Sequence, residues 1–176
     1  MAGRTSAQAV QAFVDPLQLA LSCVTDAVVN IGGGYHPADE PHALTLGDGS
    51  PVRLRGDPPL ALSVILHYRI VRATGQRGLW RVQAIGYLYA LEDPDGREVL
   101  AYHWHPLGHS AVLHPHLHLG AGARVGFPRL SDAHLPTGWV ALEAVLRLAV
   151  ADLGVEPRRA DWDEVLRRTQ KALEQW

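Results

Sequence analysis

Apolar residues recur along this chain with two different periods, and each change of period marks a predicted element. From Ser6 to Asn30, Ala7, Val10, Phe13 and Val14 fall at helical spacing. The segment reads as helix with one break at Asp15-Pro16, because proline suits the first turn of a new helix but not an interior, or as helix followed by a strand from Val24 to Ile31. Ile31 to Gly34 stop it, since consecutive glycines have no helical preference. Residues 35–59, with Pro37, Pro41, Pro51, Pro58 and Pro59, read as loop around a short hairpin turning at Gly47-Asp48-Gly49. Leu60, Leu62, Val64, Leu66, Tyr68 and Ile70 then alternate with smaller or polar residues, the pattern of a strand with one face on a core. A second strand from Leu79 to Leu91 runs into Asp93-Pro94-Asp95-Gly96, where proline and glycine suit successive turn positions. A third runs from Arg97 to about His105 and, after Pro106 to Ser110, a fourth occupies about Ala111 to Leu119. In the tail, Thr137 is placed to cap a helix carrying Val140, Val145, Leu148 and Ala149 and ending by Gly154 and Pro157. Asp161 opens a second helix with Trp162, Val165, Leu166, Ala172 and Leu173 as its apolar stripe.

Strands grouped in the middle and helices grouped at both ends predict an α+β fold. Residues 1–176 are expected to form a single domain: an antiparallel sheet of about four to six strands with N-terminal and C-terminal helices packed on one face. A chain of 176 residues buries about 70% of the surface its unfolded form exposes, so it needs no staple. Cys23 is the one cysteine, which excludes a disulfide framework and a cysteine-based zinc finger. The polar start and the lack of any run of roughly 20 apolar residues predict a soluble, cytoplasmic protein with no membrane segment. Sixteen basic against 18 acidic side chains, a formal net charge of −2, speak against an overall basic nucleic-acid binder and leave room for a local patch. Lys171 is the only lysine, so arginine carries the basic charge; it bears on chemistry where its planar fork lies beside other polar groups.

Ten histidines are the compositional anomaly, and seven of them lie between 103 and 134. His103 and His105 share a face if they lie on a strand, as do His114, His116 and His118, while Leu113, Leu117 and Leu119 point the other way. A three-residue Pro94-Asp95-Gly96 loop pairs Asp93 with Arg97, and antiparallel counting then pairs Tyr89 with Ala101 and Tyr87 with His103. This gathers Arg81, Gln83, Tyr87, Tyr89, Arg97, His103 and His105 on a polar face, with Trp80, Val82, Leu88, Leu100, Tyr102 and Trp104 on the core. Pairing His105 with Val112 in the next turn sets His103 opposite His114, so that five imidazoles line one patch. His36, His42, His67 and His134 read as scattered and incidental, and His109 as a turn residue.

Such a patch suits three readings. In the first, a neutral imidazole takes a 2′-hydroxyl proton from RNA, a protonated one gives a proton to the leaving oxygen, and Arg81 or Arg97 stabilises the charged phosphorane. The catalytic set is then His103, His105, His114, His116, His118, Arg81, Arg97 and Tyr87, with no metal required. In the second, His103, His114 and His116 hold a divalent ion such as zinc, or the sheet face docks a partner protein, with the terminal helices forming a homodimer. Only Asp132 is a nearby carboxylate, so a mixed His/Asp di-metal site is not supported. In the third, the imidazoles merely decorate a solvated face. His67 and Arg69 share the polar parity of their strand and either extend the patch or are solvated.

Other signals are weaker. Gly32-Gly33-Gly34 lacks a following Walker-type lysine and hydroxyl, and reads as a helix stop. Cys23 reads as core, Ser110 as a turn residue without the setting of a nucleophile elbow, and Asp161 to Arg168 as a charged outer helix face.

The stretch from Tyr87 to His109, followed by His114 to Gly120, resembles TumE-type toxin proteins of bacterial toxin-antitoxin pairs. They too show a Tyr-rich strand, a polar Gly turn, a second strand and a His-rich segment. The resemblance spans about a fifth of the chain, and His109, His114, His116 and His118 match the His-rich segment. It implies a small cytoplasmic toxin-like protein held by an antitoxin partner and acting on RNA, the ribonuclease reading above. The region before Pro59 and the two C-terminal helices have no counterpart in it.

Overall fold

The computed structural model describes residues 3–32, 37–74, 79–106, 112–126, 128–130 and 132–173. Helix α1 (Ser6–Leu21) starts where the Thr5 hydroxyl accepts the Gln8 backbone N–H at 3.2 Å, an N-cap that satisfies one of the free amides of the first turn. The expected break at Asp15-Pro16 does not occur. Phe13, Leu17, Ala20 and Leu21 are buried on either side of Pro16, and their packing holds the helix through it. The helix ends nine residues short of the expected Asn30, at Leu21, because Val29–Ile31 is strand β1, in a stretch rich in β-branched residues. Gln18 ties the two together: its amide donates to the Ala27 carbonyl at 3.1 Å and accepts from the Val29 N–H at 2.7 Å.

The remaining strands are β2 (His42–Leu46), β3 (Val52–Arg53), β4 (Ala61–Arg72), β5 (Trp80–Glu92), β6 (Glu98–Trp104), β7 (His116–Leu119) and β8 (Leu135–Pro136). They form one antiparallel sheet in the order β1-β2-β4-β5-β6-β7-β8, with β3 added beside β4. The α+β class is as expected, but the described residues contain eight strands rather than four to six. Three of these are only two or three residues long and carry too few positions to show an alternation. Gly47-Asp48-Gly49 is not a β2–β3 hairpin. Both strands pair antiparallel with β4, at Ile65–Tyr68 and Ala61–Leu62, so they lie end to end and the glycine segment is an excursion between them. Of the glycine run, Gly33 and Gly34 lie outside the described residues.

Two bulges decide which residues face which way. The Asp93–Arg97 closure forms as expected, with the Asp93 N–H on the Arg97 carbonyl at 2.8 Å and the Asp93 carboxylate accepting the Arg97 N–H at 2.9 Å. Gly96, at φ +76°, takes the left-handed position. Val99 is then extra: Glu92 pairs with Glu98 but Leu91 with Leu100. From there the register is one residue off simple counting, giving Tyr89–Tyr102, Leu88–His103 and Tyr87–Trp104. A second bulge adds Ile85, between His67–Gly86 and Tyr68–Ala84. Tyr87 and Tyr89 therefore leave the expected polar face and are buried beside Tyr102 and Trp104, while Leu88, expected in the core, shares the face of His103.

Helices α2 (Leu142–Ala151) and α3 (Trp162–Leu173) pack with α1 on the face that carries Leu62, Leu66, Tyr68, Val82, Tyr87, Tyr89 and Leu91. Thr137 does not cap α2. It follows β8, where its N–H donates to the Pro115 carbonyl at 2.9 Å, and the helix begins at Leu142 after Ala141. No helix among the described residues is long and apolar enough to cross a membrane.

Candidate functional site

The face of the sheet turned away from the helices gathers the histidines. β6 and β7 set His103 opposite His116 and Ala101 opposite His118. This differs from the expected His103–His114 pairing by two residues, an even shift that leaves every side chain on its expected face. The five imidazoles named from the alternation accordingly come together. Ring centroids lie 5.8 Å apart for His103–His105, 4.8 Å for His103–His118, 5.5 Å for His103–His116 and His105–His116, 6.0 Å for His114–His116, and 5.0 Å for His116–His118.

His134, read from the sequence as incidental, is a sixth member. β8 pairs Pro136 with His116 and Leu135 with Leu117, which carries His134 alongside His118. Their rings are 4.4 Å apart, and His134 lies 5.0 Å from His116. No local alternation around His134 announces this; the pairing of a two-residue strand does. His116 is the hub, 1% exposed and enclosed largely by other imidazoles.

The other sequence candidates fall elsewhere. Tyr87 is on the helix face, stacked on Tyr89 at 4.8 Å, and its hydroxyl accepts the Val140 N–H at 3.0 Å. Arg97 stays at the hairpin turn, paired with Asp93 at 3.1 Å and with Asp95. Arg81 pairs with Val71 near the far end of β5, about 16 Å along the strand from Gly86. Neither arginine thus stands beside the cluster as its anion partner. His67 does share the face, opposite Gly86, where a Cβ would sit 2.8 Å from the Trp104 carbonyl oxygen and 3.7 Å from the His67 ring. His42 bonds the Pro37 carbonyl at 2.7 Å and packs on Tyr68, away from the cluster. His36, His109 and Ser110 lie outside the described residues.

Mutual burial sets the protonation of the cluster. Desolvation, and then repulsion from His118, His116, His105 and His134, pushes His103 down to about 4. His105 and His118 are lowered for the same reasons, burial first and neighbouring imidazoles second. These three are therefore neutral at neutral pH, the form that binds metal. The tautomer of His116 follows from its surroundings: Nδ1 lies 2.9 Å from the His114 carbonyl oxygen and must donate to it, which leaves the lone pair on Nε2. That Nε2, like the Nε2 of His103, is buried with no hydrogen-bond partner among the described residues.

Ligand atoms of His103, His116 and His118 all lie within 4.8 Å of one another. Three nitrogens around a tetrahedral zinc stand about 3.3 Å apart, a closure that side-chain rotation supplies. His118 takes the place expected of His114, whose exposed side chain lies outside this group while its carbonyl orients His116. No family model, curated protein or solved structure is significantly similar to this chain.

Proposed function

We propose that this protein binds a divalent transition-metal ion, zinc or another late first-row ion, through His103, His116 and His118. The observation that carries the reading is a pair of buried Nε2 atoms, on His103 and His116, with no hydrogen-bond partner among the described residues and within ligand reach of His118. Leaving such atoms unsatisfied is costly, and a cation that accepts imidazole nitrogen removes the cost. The His114 carbonyl plays the orienting part usual behind a metal-bound histidine. A three-imidazole set carries no charge of its own, so an ion held there would keep its net charge and would supply Lewis acidity toward water or an anionic substrate. His105 and His134 stand beside the three as bases able to hold or move a proton.

Elemental analysis of protein made without a histidine tag and loaded with zinc tests this. One ion per chain is expected, lost in His116→Ala and kept in His67→Ala, with both variants folded by circular dichroism. No stoichiometric ion in the wild type, or an ion retained by His116→Ala, sinks the reading.

A second reading is the metal-independent ribonuclease of a toxin held by an antitoxin. It draws on one pair: the ring of exposed His134 lies 4.4 Å from that of the partly buried His118, which burial and neighbouring imidazoles lower from its ordinary value. Such a pair suits acid and base roles on an RNA phosphodiester. Induced expression should then arrest bacterial growth, and His103→Ala/His116→Ala should restore it; unimpaired growth with the wild type ends this reading.

A further inference from the structure

The sheet face that carries the imidazole cluster also carries an arginine whose charge is not met. On β4 the side chains turned away from the helices include Ile65, His67 and Arg69, paired with Leu88, Gly86 and Gln83 of β5. The Arg69 Nε is buried with no hydrogen-bond partner among the described residues, and none of the ion pairs among them includes Arg69. Its two Nη atoms are not buried in this way and the residue is half-buried, so the guanidinium presents its outer edge to solvent.

A positive charge on a sheet face is ordinarily complemented by an opposite charge on the neighbouring strand. Here the residue opposite Arg69 is the exposed amide Gln83. Glu92, the carboxylate that β5 carries on this face, lies at the far end of the strand, where it pairs with Ala61 and Glu98. Arg81, two residues from Gln83 on the same face, reinforces the positive sign.

The surface between Arg69 and the cluster is low and largely apolar. Gly86 has no side chain to raise it, and the exposed His67 ring lies 3.7 Å from where a Cβ would stand. The half-buried Leu88 faces outward opposite His103. At about 3.3 Å per residue and about 4.8 Å per strand, Arg69 lies about 13 Å along the sheet and about 10 Å across it from His103, roughly 16 Å between backbones. The two side chains span part of that interval.

We propose that the metal site takes an elongated organic anion. A terminal carboxylate sits on the outer edge of Arg69, whose planar fork matches its two oxygens. A short apolar chain crosses Leu88 and the His67 ring, and an oxygen-bearing group at the other end meets the ion held by His103, His116 and His118. The inference rests on the metal reading above and adds the class of molecule that the site receives.

The test loads the full chain with zinc, measures the zinc content, and titrates in suberic acid monohydroxamate by calorimetry. Its hydroxamate chelates zinc and its far end is a carboxylate; the comparator is the same molecule with that carboxylate as a primary amide. The acid should bind at least about 10-fold tighter than the amide, as a charge-assisted arginine contact implies. Arg69→Gln should keep the zinc and the amide affinity but lose the preference. The succinic pair of probes, too short to reach Arg69, should show no preference in the wild type. Zinc retained with acid and amide bound alike, with neither bound, or with a preference that survives in Arg69→Gln overturns this inference and leaves the metal reading standing. A wild type that holds no zinc removes the metal reading and this inference with it. Should Arg69→Gln fail to fold, the succinic pair decides: an equal preference there overturns the proposal.

Discussion

Acid should destabilise the metal-free protein well before its carboxylates titrate, and His103 sets the size of the effect. Its ordinary value of 6.5 falls to about 4 in the folded state. Below 6.5 the unfolded chain takes up a proton at this position while the folded chain does not. Stability is therefore fully present above about pH 6.5 and lost as pH falls toward about 4. At about pH 5 proton uptake favours the unfolded state by a factor of roughly 30 in the folding equilibrium, worth about 2 kcal/mol for a fully shielded ring. Because the ring is only partly buried, about 1 kcal/mol is the better expectation after solvent screening. His105 and His118 are lowered too and act in the same direction. For a protein of this length 1 kcal/mol corresponds to about 2–4 °C in Tm. The assay is thermal unfolding of chelator-treated protein at intervals between about pH 7.5 and pH 5, comparing wild type with His103→Gln. The variant should show a visibly flatter profile. A wild-type Tm that does not fall across this window, or a His103→Gln profile parallel to it, would refute the claim that burial and mutual repulsion keep these rings neutral.

Two further outcomes follow from packing alone. Gly86→Ala places a Cβ 2.8 Å from the Trp104 carbonyl oxygen, a backbone atom that cannot swing away; urea denaturation should show a loss of about 1–3 kcal/mol. Leu146, 0% exposed in α2, leaves a void when truncated; Leu146→Ala should cost about 2–5 kcal/mol by the same assay.

Much of the site was legible in the chain. Five histidines at alternate positions, backed by leucines and aromatics, specify a face whatever the neighbouring strands do, because side chains on a strand alternate with a period of two. That is why the imidazoles at 103, 105, 114, 116 and 118 come together although the β6–β7 register differs from simple counting by two residues. The α+β class follows from the same periodicities. The Asp93-Pro94-Asp95-Gly96 turn is a local matter of backbone preference, and it closes as its residues require.

What lay beyond the sequence has a common cause: it depends on single insertions and on contacts between distant segments. Bulges at Ile85 and Val99 move Tyr87 and Tyr89 from one face to the other, and no local pattern marks the position of an extra residue. Pro16 breaks no helix because burial on both sides outweighs its local cost. His134 reaches the cluster only through a two-residue strand, and Glu143 is buried only because α2 packs with α1 and α3. Periodicity, a property of consecutive residues, determined that a histidine face exists. Tertiary packing decided which imidazoles meet and how neutral they are, because desolvation and proximity belong to residues brought together from separate strands, as far apart in the chain as His103 and His134.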